Sequence, residues 1–148
     1  MAKAVTEKFE EMILDVELVA NSGVYTSICG LVDVTITRTA NIDTAEVPDC
    51  DNEALPLSLE KQVRSIEVTV SGTGVWARSS QDALKQWFYG ATTKNVRLRD
   101  TAAASGDVET ESGAALLASL TNTRTKGVKV SAEIELQFDG TPTLTDKT

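Results

Sequence analysis

Near its C-terminal end the chain reads VKVSAEIELQFDG, residues 128–140, and this stretch narrows the possible folds more than any other. Val128, Val130, Ala132, Ile134, Leu136 and Phe138 alternate with Lys129, Ser131, Glu133, Glu135, Gln137 and Asp139. Period two over that length describes a strand with one buried face and one wet face. A helix would scatter the same charges around its circumference. The pattern recurs in SIEVTV (65–70), with Ile66, Val68 and Val70 against Glu67 and Thr69, and in LVDVTITRT (31–39), with Val32, Val34 and Ile36 against Asp33, Thr35 and Thr37. β-branched residues are heavily used in all three, as half-buried pleated surfaces favour. KNVRLRD (94–100) is a shorter strand with Val96 and Leu98 on its apolar side. GAALLASLTNTRTKG (113–127) supplies another, ending in a polar turn, so that 114–138 forms a terminal hairpin. In the N-terminal segment, Met12, Leu14, Val16 and Leu18 alternate as a strand would, whereas Phe9, Met12, Ile13, Val16 and Ala20 match a helical face. The strand is favoured, because the next apolar run follows a short turn at Asn21-Ser22-Gly23.

One helix is marked. Ser79 is placed as N-cap with Asp82 three residues on, a short version of the capping box. Ala83, Leu84, Trp87 and Phe88 then share a face, and Gly90 is placed to end the helix in a left-handed cap. Aromatic residues are only 5% of the chain, so the core rests on Val, Ile, Leu and Ala, and this helix carries an unusual share of its large rings. Residues 41–60, NIDTAEVPDCDNEALPLSLE, hold six acids, two of the three prolines and no Lys or Arg. They read as a long acidic loop at about 41–62, of a length that is functional or disordered inside a compact domain. Residues 101–113 are small and polar and also resist assignment. With 148 residues the chain is expected to be a single domain, 1–148, that is mainly β with one helix: an α+β arrangement built as a β-sandwich or curled sheet.

The chemistry available is narrow. The chain contains no histidine, which removes Ser-His-Asp and Cys-His pairs and His-ligated metals. Paired acids such as Glu133 and Glu135 fall on the solvent side of an alternating strand, where carboxylates are simply solvated. Ser71-Gly72-Thr73-Gly74 lacks the third glycine of a dinucleotide fingerprint and the lysine of a phosphate loop. Val75-Trp76-Ala77-Arg78 also separates those glycines from the helix, so no helix N-terminus is near enough to cradle a phosphate. The glycines read instead as a bulge or bend in a long strand. Counted as an EF-hand from Asp49, the acidic loop has Ala54 where glycine is needed, although Glu60 stands at the twelfth position. An exposed acidic loop is the default reading, and neither an enzyme nor a cofactor is expected.

Net charge is −8 and the sequence pI is about 4.5. That balance disfavours phosphate neutralisation on nucleic acid and attachment to an anionic membrane. The two cysteines, Cys29 and Cys50, have no C-x-x-C spacing and read as free thiols in a reducing compartment. Acids at Glu10, Glu11, Asp15 and Glu17 break any apolar run of a secretory signal. What remains distinctive is a set of long strands whose edges must be protected or used. Copies that pair by their edges close into a ring or tube.

From residue 9 onward the chain resembles the major tail tube proteins of long-tailed, non-contractile bacteriophages, including those of phage-like gene transfer agents. The resemblance rests on order and spacing: GLVDVTITRTANI (30–42), the acidic Pro-containing loop, RSIEVTVSGTGVW (64–76), the helix SSQDALKQWFYG (79–90) and the closing GVKVSAEIELQFDGTPTLT (127–145). It implies a β-sandwich flanked by a helix, six copies to a ring, a continuous luminal β-barrel, and rings stacked into a hollow tube that conducts DNA out of the capsid. It implies a place in the virion tail after assembly in the host bacterial cytoplasm. The implied partners are a tape-measure (ruler) protein, a tail terminator and distal-tail proteins, with DNA passing through without specific binding and no membrane contact.

By the same resemblance, the long loop reaches the neighbouring ring, which makes Asp43, Glu46, Asp49, Asp51 and Glu53 inter-ring candidates. Glu67, Glu133 and Glu135 are candidates for the lumen wall, although Arg64, Arg97, Arg99 and Arg124 also fall in strand regions and leave the acidic face unassigned. Six copies would carry 6 × −8 = −48 per ring, a charge that repels phosphates rather than binding them. Two other readings share the strand pattern. One is a monomeric β-sandwich binding or decoration module, which needs an aromatic groove built from Trp76, Trp87, Tyr25 or Tyr89. The other is a tube of the type VI secretion kind.

Overall fold

A computed structural model describes residues 2–19 and 22–148. After a 3₁₀ turn at Phe9–Glu11 come β1 (Met12–Val16), β2 (Thr26–Ser27), β3 (Leu31–Val47), β4 (Ser58–Val75), α1 (Arg78–Gly90), β5 (Lys94–Asp100), β6 (Val108–Thr123), β7 (Ser131–Phe138) and β8 (Thr143–Asp146). All strands join one antiparallel sheet in the order β2-β1-β5-β6-β7-β4-β3, with β8 beside the start of β6. The N-terminal ambiguity resolves as a strand, and β5 has the expected bounds. The β6–β7 pair is the expected terminal hairpin. The expected turn after β1 begins at Asn21, which lies outside the described residues.

The sheet curls until its two ends face each other. Alternation supplies the reason: Leu14, Val16, Val96, Leu98, Leu117, Val70, Ile134 and Leu136 all turn to one side and are buried there together. Val34 and Ile36 of β3, at the far end of the sheet order, pack against the same cluster as β1. The result is a sandwich whose two layers are continuous through β6, which shifts register between Leu117 and Ser119. Helix α1 adds Leu84 and Trp87 to the core, and the Trp87 indole donates to the Thr92 carbonyl at 2.9 Å. Each fully buried side chain of this size stabilises the fold by roughly 1.5–3 kcal/mol. At the mouth of the sandwich Arg38 of β3 pairs with Glu111 of β6 across the two layers, and that hydrogen bond holds the Arg38 guanidinium above its usual range.

Several local expectations are corrected. Helix α1 begins one residue before Ser79, with Ala77 at the N-cap and no side-chain cap. Gly90 is the last helical residue, and the left-handed position falls on Ala91, with φ 53°. Phe88, expected on the buried face, is 39% exposed and stacks edge-on against Tyr89. Val32 is also exposed, because the β3–β4 ladder shifts register between Leu31 and Asp33.

The Ser71–Gly74 stretch is neither a corner nor a site of positive φ. It runs straight through β4, with β3 on one side and β7 on the other. The register shift on β3 drives the partner backbone into it: a Cβ on Gly74 would lie 2.1 Å from the Gly30 carbonyl oxygen and 2.8 Å from Leu31 Cα. Glycine is required at Gly74 for close backbone approach.

The largest correction concerns the acidic loop. Residues 41–47 and 58–62 are strand, and only 48–57 form the connection. β3 and β4 pair from Leu31–Gly74 outward to Val47–Ser58, making a hairpin that runs far beyond the sandwich.

Candidate assembly surfaces

Three surfaces are left over once the core is satisfied. The first is the outer face of the layer formed by β3, β4, β7 and the second half of β6. Register places Asp33, Thr35, Thr37 and Thr39 of β3 on it, beside Glu67, Thr69, Ser71 and Thr73 of β4. Glu133, Glu135 and Gln137 of β7 follow, then Ser119, Thr121 and Thr123 of β6. The three lumen candidates, Glu67, Glu133 and Glu135, thus share one face, and Asp33 joins them. None of these positions carries a Lys or Arg.

The arginines that obscured this in the sequence lie elsewhere. Arg97 and Arg99 belong to the other layer, where the buried Asp15 carboxylate takes Arg97 Nε at 3.1 Å and Arg99 Nε at 3.6 Å and accepts from Ser27 Oγ at 2.8 Å. Arg97 also stacks over the Tyr25 ring at 4.2 Å. Arg64 occupies the register shift of β4 and Arg124 lies past the end of β6. An alternating strand with one wet face does not say which strands lie side by side, so only the register could assemble this cation-free surface.

The second surface is the arm, the distal part of the β3–β4 hairpin. Its acids divide by position: Asp43 and Glu46 are on β3, while Asp49, Asp51 and Glu53 are in the connection. Asp49 Oδ1 accepts the backbone N–H of Asp51 at 2.8 Å and of Asn52 at 3.1 Å, which ties down the turn. Among the described residues no group of three or more Asp, Glu, Cys or His converges as a metal site.

The arm also carries what the sequence reading missed. Ile42, Leu59, Val63 and Ile66 lie on the side that faces the core further along the same strands. On the arm, however, the core has ended, and these four are 52%, 61%, 51% and 48% exposed. Leu55 and Leu57 are half exposed near the tip. The signal was present as apolar residues within an acid-rich segment, but the prolines and acids pointed to a loop.

The third surface is the pair of open edges. β3 ends the sheet, so the outer edge of all 17 of its residues has no ladder partner among the described residues. At the other margin of the polar layer, β6 pairs with β5 only up to Ala115, and beyond it pairs only with β7. In the arm the same applies to β4, since β7 reaches no further than Thr69. A two-stranded hairpin with both edges open and one partly apolar face bare, where Thr44, Glu46 and Lys61 stand among Ile42, Leu59, Val63 and Ile66, is marginally stable by itself. Cys29 and Cys50 are free and exposed.

Residues 6–144 match the model of a family described as phage tail tube protein. No curated protein matches the sequence significantly. Solved structures match over nearly the whole chain at low identity. The chain is similar to the tail of an empty gene transfer agent particle refined with C6 symmetry, with a TM-score of 0.74, 16% identity, and 95% of this chain and 99% of that one covered. It is similar to the SPP1 tail tube, with a TM-score of 0.70, 14% identity, and 97% and 81% covered. It is also similar to the terminating cap of the anti-feeding prophage tube, with a TM-score of 0.63, 15% identity, and 99% and 95% covered. At these identities the structural matches speak for the fold.

Proposed function

This chain belongs to the phage tail tube protein family, and on that premise we propose that six copies close into a ring and the rings stack into a hollow tube through which DNA leaves the capsid. The observation that carries this reading is the four-stranded layer bounded by open edges. The free edge of β3 in one copy pairs with the free edge of β6 in the next, which removes both edges at once. Four strands from each of six copies make 4 × 6 = 24 strands. At about 4.8 Å between strands and a tilt near 40°, 24 strands close into a cylinder about 48 Å across at the backbone, which leaves room for a duplex of roughly 20 Å.

The polar face then lines the lumen. Glu67, Glu133 and Glu135, with Asp33, present carboxylates among Thr and Ser hydroxyls. Such a wall repels phosphates and holds no cation to trap them, so DNA slides without counterion-release binding. The arm, with Asp43, Glu46, Asp49, Asp51 and Glu53, leaves its own ring and contacts the next, burying its apolar side there. The role is structural rather than catalytic. A tape-measure protein inside the growing tube, a terminator at one end and distal-tail proteins at the other complete the tail in the virion.

Electron microscopy and sedimentation of the purified protein test the reading. Rings and stacked tubes are the expected result. A species that stays monomeric at every concentration and ionic strength would overturn it.

A further inference from the structure

The two ends of the polar layer carry opposite charge. β4 runs from the arm at Ser58 to Val75, and β7 runs antiparallel to it, so that Ser131 sits beside Val75. The β6–β7 turn, residues 124–130, therefore lies at the end of the layer opposite the arm. That turn contains Arg124, Lys126 and Lys129 and no acid. None of the three makes an ion pair among the described residues.

Around them is an apolar patch. Val128 is 66% exposed and Val75 46%, and Val130, through its carbonyl, holds the Trp76 N–H at 2.8 Å. Lys85 adds a further cation 6.0 Å above the Trp76 ring. The nearest acids on the polar face, Asp33 and Glu133, are paired with Thr73 in the ladder, two residues inward from Val75. The arm carries the opposite balance: six acids between residues 41 and 60 against two cations, Lys61 and Arg64, on its β4 side, and Leu55, Leu57 and Leu59 exposed near the acids.

We propose that the β6–β7 turn with Arg124, Lys126 and Lys129 is the docking surface for the acidic arm of a second copy in the adjacent ring. The proposal rests on the tube reading above and names the surface that receives the arm. Within one chain the two cannot meet. Ser58 to Glu67 are all exposed, and ten residues of strand span about 33 Å. That length carries the arm away from its own basic turn and toward the opposite end of another copy. A contact between unlike surfaces at opposite ends is heterologous and does not close on itself, so it propagates along an axis. It also gives the stack a polarity, because arm against arm brings acid to acid and turn against turn brings cation to cation.

The test is a charge swap between two variants of the full chain. One carries Arg124→Glu, Lys126→Glu and Lys129→Glu. The other carries Asp49→Lys, Asp51→Lys and Glu53→Lys. Each alone opposes like charges at every ring junction, and its critical concentration for stacking is expected to rise by about tenfold or more. Rings formed from each variant separately and then mixed in equal number restore complementarity at every junction, in alternation, and are expected to stack. Stacking of the wild type is expected to weaken between 0.1 and 1 M salt, as the screening length falls from about 10 Å to about 3 Å.

If the wild type forms tubes but both folded variants stack as well as it does, or the mixture stacks no better than either alone, the docking assignment is wrong and the tube reading stands. If the wild type forms neither rings nor tubes, the tube reading itself is wrong. Should a variant melt early, wild-type stacking that is indifferent to salt would overturn the assignment.

Discussion

Replacing Ile42 and Val63 by threonine separates folding from assembly. The two residues sit opposite each other in the arm ladder and are 52% and 51% exposed in the subunit. Threonine keeps the β-branched shape and strand preference while exchanging a methyl or larger apolar group for a hydroxyl. Full burial of Val or Ile stabilises by roughly 1.5–3 kcal/mol, so the half still exposed on each is worth about 1 kcal/mol when a neighbour covers it. The double variant should lose about 2 kcal/mol per arm contact, roughly a thirtyfold weakening. The isolated subunit loses less, because about half of each side chain already faces water, and surface changes of this kind fall within about 0.5 kcal/mol each, about 1 kcal/mol for the pair. Thermal melting of dilute, unassembled protein should therefore move by no more than about 4 °C. The critical concentration for tube formation, read by pelleting and microscopy, should rise by at least the single-contact factor. A melting point that falls in step with assembly would mean that the arm's apolar side belongs to the subunit's own core. Unchanged assembly would mean that nothing covers it in the tube.

Gly74→Ala drives a methyl group into the Gly30 carbonyl, whereas Gly72→Ala meets only side-chain carbons, Leu31 Cδ1 at 3.0 Å, Leu31 Cδ2 at 3.3 Å and Ile134 Cγ1 at 3.4 Å. The first should cost about 3 kcal/mol, and the second, relieved by a Leu31 rotation, under about 1 kcal/mol. Thermal melting of dilute protein should show drops of roughly 6–12 °C and under about 4 °C, and equal drops would refute the close-approach account. Glu67→Lys with Glu133→Lys and Glu135→Lys should leave the subunit folded but turn a repelling wall into a binding one. Tubes of that variant should retain DNA at low salt and release it as salt rises, in a gel-shift or co-pelleting assay. Equal DNA retention by the variant and the wild type would remove these residues from the lumen.

The regular parts of the fold were legible because their local and tertiary demands agree. In β7 every second residue, from Ala132 to Phe138, is part of or packed against the core, and Ile134 and Phe138 are strand formers as well; in β5 Val96 serves both purposes and Leu98 is buried beside it. The helix caps misled because Ser79 and Gly90 had the right chemistry at neighbouring positions, while Leu84 and Trp87 fixed the helix by burial whatever its caps. Ser71–Gly74 misled for a different reason. Its glycines answer to Gly30 and Leu31, some 40 positions earlier in the chain, and no local pattern records that approach.

The arm exposes a deeper limit of reading one chain at a time. Pro48, Pro56 and the dense acids identify the turn correctly, but they conceal the strands on either side of it. Ile42, Val63 and Ile66 occupy core-facing positions with no core of their own beneath them. An isolated globular domain has no use for such residues, since bare apolar strand faces with open edges invite association. They become intelligible if the unit that folds to completion is the assembly, with the missing half of this sandwich supplied by another copy. The acids then have a purpose beyond the contact itself. By keeping the arm soluble and mutually repelling until a cationic end presents itself, they favour addition at the tip of a growing tube over indiscriminate edge pairing among free subunits.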